Sequence, residues 1–289
     1  MMLTVFTPAY NRAETLSRLY QSLCDQTCYE FEWLIIDDGS LDGTQELVRS
    51  FLKEDRFPVR YVQKKNGGKH TAHNLALEQA RGEWFLCVDS DDMLAGDAVA
   101  KLTECFANLK EEIGIIAYKT DLNGRLLSDG FPRGLRRERM HRLALVHGCH
   151  GEFSLVFSTA FARKFPFPVF PGERFVTESV IYDRMDTHGT MMLLPEVLTV
   201  CEYQPDGYSS NFTKLMKQNP SGFCLYFLQR IDLQLSMKQR LIHAGKYWCF
   251  RWISKNRNLK YRGKHRALVF LATIPGVVFR IYYKLIRHI

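Results

Sequence analysis

The feature that most restricts the fold is an alternation early in the chain: short apolar runs, each ended by a polar cluster and separated by segments with helical spacing. Leu3–Thr7 ends at Pro8 and the polar Asn11-Arg12, and Glu14–Gln26 follows with Leu16, Leu19 and Leu23 on one helical face. Phe31–Ile36 is stopped by Asp37-Asp38-Gly39-Ser40 and precedes a predicted helix over Thr44–Lys53. Val59–Val62 precedes Asn66-Gly67-Gly68-Lys69 and the Ala- and Leu-rich His70–Ala80, and Trp84–Val88 is cut off by Asp89-Ser90-Asp91-Asp92. Strands and helices in this order require right-handed crossovers, so the expectation is an α/β fold with a mostly parallel sheet flanked by helices. Ligands of open α/β sheets bind beyond the carboxyl ends of the strands, where the polar clusters fall, which predicts one cleft lined by four loops.

Several common uses of such a sheet are excluded. The first turn lacks Gly-x-Gly-x-x-Gly, and Asn66-Gly67-Gly68-Lys69 lacks the Walker spacing, so neither an ordinary dinucleotide site nor a P-loop is expected. Eight scattered cysteines, the nearest being Cys24 and Cys28, read as reduced thiols, and no paired Cys/His spacing supports zinc. The start of the chain reads as a strand and not as a secretory signal, which fits a cytoplasmic protein. Its 289 residues suit one large domain or a domain with an appendage. The net charge of +8 is unevenly placed, because residues 233–289 hold 13 basic and no acidic residues, leaving residues 1–232 at −5. The body is acidic and carries no nucleic-acid reader motif, so nucleic acid is not an expected partner.

Asp89-Ser90-Asp91-Asp92 carries the strongest chemical signal. Carboxylates spaced Asp-x-Asp at a strand end suit a hard divalent cation that keeps positions for phosphate and water. Crowding three acids with no Lys or Arg nearby in the sequence favours a cation, since mutual repulsion otherwise raises their pKa values. A solvated turn capping the next helix is the competing reading. In Asp37-Asp38-Gly39-Ser40, Asp42 and the glycines account for turn and cap chemistry. The adjacent acids at a strand mouth can also accept the imino N–H of a uracil or thymine ring. Tyr10 can stack on a base or fill the core.

Taken together, Thr7-Pro8-Ala9-Tyr10-Asn11-Arg12, Asp37-Asp38-Gly39-Ser40 with Asp42 and Thr44, Asn66-Gly67-Gly68-Lys69 with Asn74, and Asp89-Ser90-Asp91-Asp92 resemble the nucleotide-sugar-binding half of glycosyltransferase family 2. The resemblance covers residues 3–95, with weaker support to about residue 205. It implies a GT-A fold, Mn2+ or Mg2+, and inverting transfer from a nucleoside-diphosphate sugar, with a UDP-sugar the expected donor. By position it implies that Asp38 reads the base between Pro8 and Tyr10, that Asp89 lies near the ribose, and that Asp91 holds the metal. Lys69 is a candidate for neutralising the diphosphate; a solvent-exposed lysine is the alternative. Many relatives carry Glu-Asp as the base motif. Here Gly172-Glu173-Arg174-Phe175-Val176-Thr177-Glu178 is similar to a Glu-Lys/Arg-Phe-x-x-Glu subgroup, which implies Glu178 as the catalytic base, with Glu173, Asp183 and Asp186 as competitors.

The expected organisation is a nucleotide-sugar half (1–120), an acceptor half of the same domain (121–205) and a basic helical extension (206–289). In the second half, strands are expected at Ile115–Lys119, Leu126–Ser128, Met191–Leu194 and Val197–Cys201, with a helix near Glu178–His188. In the extension, Leu225–Leu235 and Leu241–Ile253 read as helices. Arg251-Trp252 matches the end of the Gln-x-x-Arg-Trp signature of processive family members, but position 248 is Trp, so processive synthesis is not expected. Ala267–Phe279 is uncharged for 13 residues and interrupted by Pro275, short of the roughly 20 residues of a spanning helix. It fits either the interface of an anionic membrane or a docked helix, on its own domain or on a second copy in a homo-oligomer. The leading expectation is therefore a glycosyltransferase peripheral to the inner face of the cell membrane, acting on a glycan or lipid-linked acceptor. A nucleotidyltransferase would want a basic Gly-rich loop where Pro8-Ala9-Tyr10-Asn11 stands. A silent sugar-nucleotide-binding scaffold would not need Asp91 and Glu178.

Overall fold

The computed structural model describes residues 2–202, 212–254 and 256–286. Asp206-Gly207-Tyr208, where the extension was expected to begin, and Lys255 and Arg287 lie outside the described residues. The chain opens with β1 (Leu3–Ala9), α1 (Leu16–Cys24), β2 (Phe31–Asp37), α2 (Thr44–Glu54), β3 (Val59–Gln63), α3 (Lys69–Gln79) and β4 (Trp84–Cys87). A short β5 (Met93–Leu94), α4 (Ala98–Phe106), β6 (Gly114–Asp121), a short β7 (Arg137–Glu138), α5 (Met140–Leu145), β8 (Phe153–Ser158) and one turn of α6 (Thr159–Ala162) follow. After α7 (Ser179–Met185) and β9 (Met191–Cys201) come the helices α8 (Phe212–Gln218), α9 (Pro220–Leu233), α10 (Met237–Ser254), α11 (Arg266–Leu271) and α12 (Thr273–Ile286).

The strands form one sheet in the order β3-β2-β1-β4-β8-β6-β9-β5, with β7 also on β9. From β3 to β4 every pairing is parallel. Strand β8 then enters antiparallel between β4 and β6, and β9 runs parallel to β6. Strand β2 is buried along its whole length, as expected where helices cover both faces of a sheet. Helix α1 presents Leu16, Leu19, Tyr20 and Leu23 to the core, alongside Trp33, Val48 and Phe51.

Strand β8 was not expected. Its apolar Phe153, Leu155, Val156 and Phe157 are interrupted by Ser154, which in the sequence looks like a break. In the sheet that hydroxyl is 2.7 Å from Thr199 Oγ1 on β9, so the polar residue is satisfied inside the layer. Leu126–Ser128, expected as a strand, makes only isolated bridges to Thr120 and Gly151. The two apolar runs between 191 and 201 merge into β9, which passes Pro195 at a register shift against Ala117–Lys119.

Contacts divide the chain into two compact units, 1–166 with 185–204, and 167–184 with 205–289. The second has its own core around Phe223, Phe227, Tyr247, Phe250 and Tyr283. Helix α12 packs closely on α10 because a Cβ on Gly245 would come within 3.0 Å of the Phe279 ring and 3.2 Å of Pro275. Pro275 sits in the first turn of α12, where its missing N–H has no intrahelical partner to lose. The Ala267–Phe279 stretch is thus two helices, and at least one face of the second is docked. Arg251 donates to the carbonyls of Leu259 and Arg257, which gives it a structural task in this unit.

Candidate functional site

In the first unit, the loops after β1, β2, β3 and β4 are fastened to one another at the carboxyl ends of the parallel strands. Asn11 and Arg12 donate backbone N–H groups to Ser40 Oγ and Thr44 Oγ1, at 2.8 and 2.9 Å, and Leu41 N donates to Asn11 Oδ1 at 2.9 Å. Asp37 is fully buried and accepts from Ser40 N, Gln63 and the Tyr61 hydroxyl. Burial first, and that hydrogen bond second, push the Tyr61 pKa above its ordinary value. Pro8 is half-buried near the end of β1 and Tyr10 is 46% exposed, so the tyrosine is a surface ring and not a core residue.

Asp38 holds the next loop. Its oxygens accept from Gly67 N at 2.9 Å, Gly68 N at 2.6 Å and Lys64 Nζ at 2.5 Å. Gly68 has a φ of +94°, a conformation side chains disfavour, and it leads directly into α3. A Cβ at Gly67 would lie 2.8 Å from Thr71 Oγ1. The two glycines therefore let the backbone fold onto the Asp38 carboxylate. With about four acceptor positions on a carboxylate, three are used here and one is left for another donor.

Lys69 begins α3 and reaches Asp89, with Nζ 2.6 Å from Oδ1. It is not the solvated lysine that was the alternative. Burial works against the Asp89 charge, but Lys69 and then Lys119 hold its pKa below the usual carboxylate value. Asp92 is buried and 3.4 Å from Lys119 Nζ, and burial raises its pKa to about 6 against that attraction. Two lysines thus stand beside the acids, which corrects the premise that the cluster lacks cationic neighbours. Asp91 differs. It is half-buried and no ion pair engages it among the described residues. Burial, then the Asp89 charge, raise its pKa, with Arg12 the chief opposing charge.

Glu178 lies in the second unit, immediately before α7, and its carbonyl accepts from Ile181 and Tyr182 N–H groups. The helix expected near Glu178–His188 is thus α7, Ser179–Met185. Each competing acid has a structural partner. Glu173 accepts from Ser221 N and Gly222 N at 2.7 and 2.9 Å and so caps α9, while Asn219 Oδ1 accepts from Arg174 N and Phe175 N in return. Asp183 is buried against Arg230 at 2.7 Å. Asp186, in the first unit, accepts from Met140 N, His141 N and the His141 ring at the start of α5.

The model of glycosyl transferase family 2 matches residues 4–164, more than half of the chain. The chain belongs to glycosyl transferase family 2. A chondroitin synthase of Pasteurella multocida (strain Pm70) is 34% identical over 152 residues, 50% of this chain but 15% of that protein. The poly(ribitol-phosphate) beta-N-acetylglucosaminyltransferase TarS of Staphylococcus aureus (strain Mu50) is 29% identical over 149 residues, 51% of this chain and 25% of that protein. The matches therefore span a quarter or less of these relatives. Among solved structures, S. aureus TarS 1–349 in complex with UDP-GlcNAc has a TM-score of 0.65 at 17% identity, covering 98% of this chain and 92% of that one. The mannosyltransferase PcManGT from Pyrobaculum calidifontis, in complex with GDP-Man and Mn2+, has a TM-score of 0.58 at 18% identity, covering 98% and 87%. At these identities the likeness is one of fold, and the fold is the GT-A type expected.

No group of three or more His, Cys, Asp or Glu side chains converges on a metal position among the described residues. The donor set at Asp91 nevertheless suits a hard divalent cation. Such ions bind through one or two carboxylates and complete their shell with substrate phosphate and water. An ionised carboxylate disfavoured by burial and by a neighbouring acid, with no ion pair among the described residues, gains from a bound cation. Lys119 was not among the expected site residues. Its only signal was a lysine closing the apolar stretch Ile115–Tyr118; burial opposes its charge, but Asp92 above all holds its pKa above the ordinary value.

Proposed function

We propose that this chain transfers a sugar from a nucleoside-diphosphate sugar, a UDP-sugar in particular, to a hydroxyl of a glycan or lipid-linked acceptor, with inversion, in cell-surface polysaccharide biosynthesis. The observation that carries the reading is the row of strand-end loops in which Asp38 and Lys69 are anchored while Asp91 makes no ion pair among the described residues. The TarS neighbour in complex with UDP-GlcNAc supports the choice of donor. The PcManGT neighbour with Mn2+ supports the metal.

In this reading Tyr10 and Pro8 wall the base, and the remaining acceptor position of Asp38 takes its imino N–H. Asp89 lies by the ribose. Asp91 would hold Mn2+ or Mg2+, which, when bound, supplies positive charge to the diphosphate. Lys69, held at the start of α3 beside Asp89, brings positive charge to the phosphate oxygens as negative charge develops there. Glu178 accepts the proton of the acceptor hydroxyl. The hydroxyl oxygen forms a bond to the anomeric carbon, and the bond from that carbon to the diphosphate breaks, the electron pair leaving with the phosphate oxygen. Attack on the face opposite the leaving group inverts configuration. General-base assistance contributes roughly 10²–10⁴-fold.

The test is release of nucleoside diphosphate from UDP-sugars in the presence of Mn2+ or Mg2+. Wild type is expected to release UDP, while Asp91→Ala and Glu178→Gln remain folded and lose nearly all turnover. Full turnover by Glu178→Gln would move the base elsewhere. Absence of release from every sugar nucleotide by the folded wild type would favour a silent binding protein.

A further inference from the structure

Helix α12 is apolar on two opposite faces. Gly276, Phe279 and Tyr283 turn toward the second unit's own core, where Tyr283 meets Phe250 edge-on at 5.4 Å and Gly276 lies under Trp248. Ile274, Val277, Val278, Ile281, Tyr282 and Leu285 occupy the other side and are 40–73% exposed. At 3.6 residues per turn these six cover an arc of about 140° without a charged residue among them. Phe270 and Leu271, 72% and 63% exposed, extend the surface onto α11. A surface helix ordinarily turns polar residues outward, so a second apolar stripe marks an interaction surface.

Charge decides what fits it. Residues 233–289 carry 13 basic and no acidic residues, and Lys284 is exposed just beyond the Val277 edge of the stripe, with Arg280 behind it. A second copy would bring like charges together across the same surface. No helix among the described residues is long and apolar enough to cross a membrane, whereas an apolar stripe edged by cations is the pattern of a helix lying in an interface. We propose that the outward face of α11 and α12 docks on an anionic lipid bilayer, with the apolar side chains at the acyl boundary and the flanking Lys and Arg among the headgroups. This surface is independent of the donor site, so its failure and the failure of the proposed activity are separable.

The experiment uses the full chain and co-sedimentation with vesicles of phosphatidylcholine alone or mixed with phosphatidylglycerol. Wild type is expected to bind the anionic vesicles and to lose most binding at high salt. The variant Val278→Asp/Ile281→Asp, placed on exposed positions, is expected to bind at least tenfold more weakly, and Lys284→Glu to lose binding to anionic vesicles selectively. Circular dichroism and the thermal shift given by UDP with Mn2+ should be unchanged in these variants. Equal vesicle binding by wild type and the double variant overturns the proposal. So does a wild-type dimer in solution that the double variant converts to monomer, because a second copy would then own the face.

Discussion

Lowering the pH from 7 to 5 should destabilise the first unit through histidines of α3, the helix that begins with Lys69. His73 is buried between Phe6 and Phe85, with ring centroids at 5.6 and 5.3 Å. Burial, helped by the Lys69 charge, lowers its pKa from the ordinary 6.5 to about 3. His70 falls to about 4, burial and Lys64 outweighing the attraction of Asp38. The folded value is depressed, so the unfolded chain binds protons that the folded one refuses. Stability is therefore lost as pH falls below 6.5 and continues to fall toward the folded values. Between pH 7 and 5, protonation of an unfolded histidine of pKa 6.5 amounts to about 2 kcal/mol for each such residue. Urea unfolding followed by tryptophan fluorescence at pH 7 and 5 measures the loss. In His73→Phe, and in His73→Gln should the larger ring not be accommodated, the pH-dependent loss should shrink by about 2 kcal/mol relative to wild type. Subtracting the two pH values within each protein removes the direct effect of the substitution on packing. An unchanged loss in both variants would refute the claim that a buried neutral His73 underlies the acid sensitivity.

Glu173→Ala should cost about 1–2 kcal/mol by uncapping α9, read as a lower urea midpoint, and Glu173→Gln should cost less. Stability equal to wild type in Glu173→Ala would remove the clasp with Ser221 and Gly222 from the account. Lys69→Met breaks a partly exposed pair and should change stability by no more than about 1 kcal/mol. It should weaken UDP-sugar binding at least tenfold by titration calorimetry, and wild-type affinity in this variant would take Lys69 out of the donor site.

The parallel half of the fold is legible because strands buried on both faces read as unbroken apolar runs and their loops are punctuated by Gly, Asp and Pro. The loops that converge at β1 to β4 were accordingly found in order. What stayed hidden depends on partners distant in the chain. Ser154 looks like a strand breaker until Thr199 answers it. The acids at 89–92 look uncompensated until β6 brings Lys119 beside Asp92, 27 residues away. Only the fold brings Ser221 and Gly222, 48 and 49 residues distant, to the Glu173 carboxylate. The tail shows the same limit, because its composition identifies an apolar segment but not which side of α12 is already covered by α10.

The central claim is that a divalent cation at Asp91 completes a nucleotide-sugar site. The most direct test is the thermal shift of the full chain with UDP, UDP-sugars and their guanosine and thymidine counterparts, each with and without Mn2+. A shift that requires both nucleotide and Mn2+, and that Asp91→Asn abolishes while keeping its metal-free melting temperature close to wild type, is the predicted result. No metal-dependent shift with any of these compounds, or an undiminished one in Asp91→Asn, would contradict it.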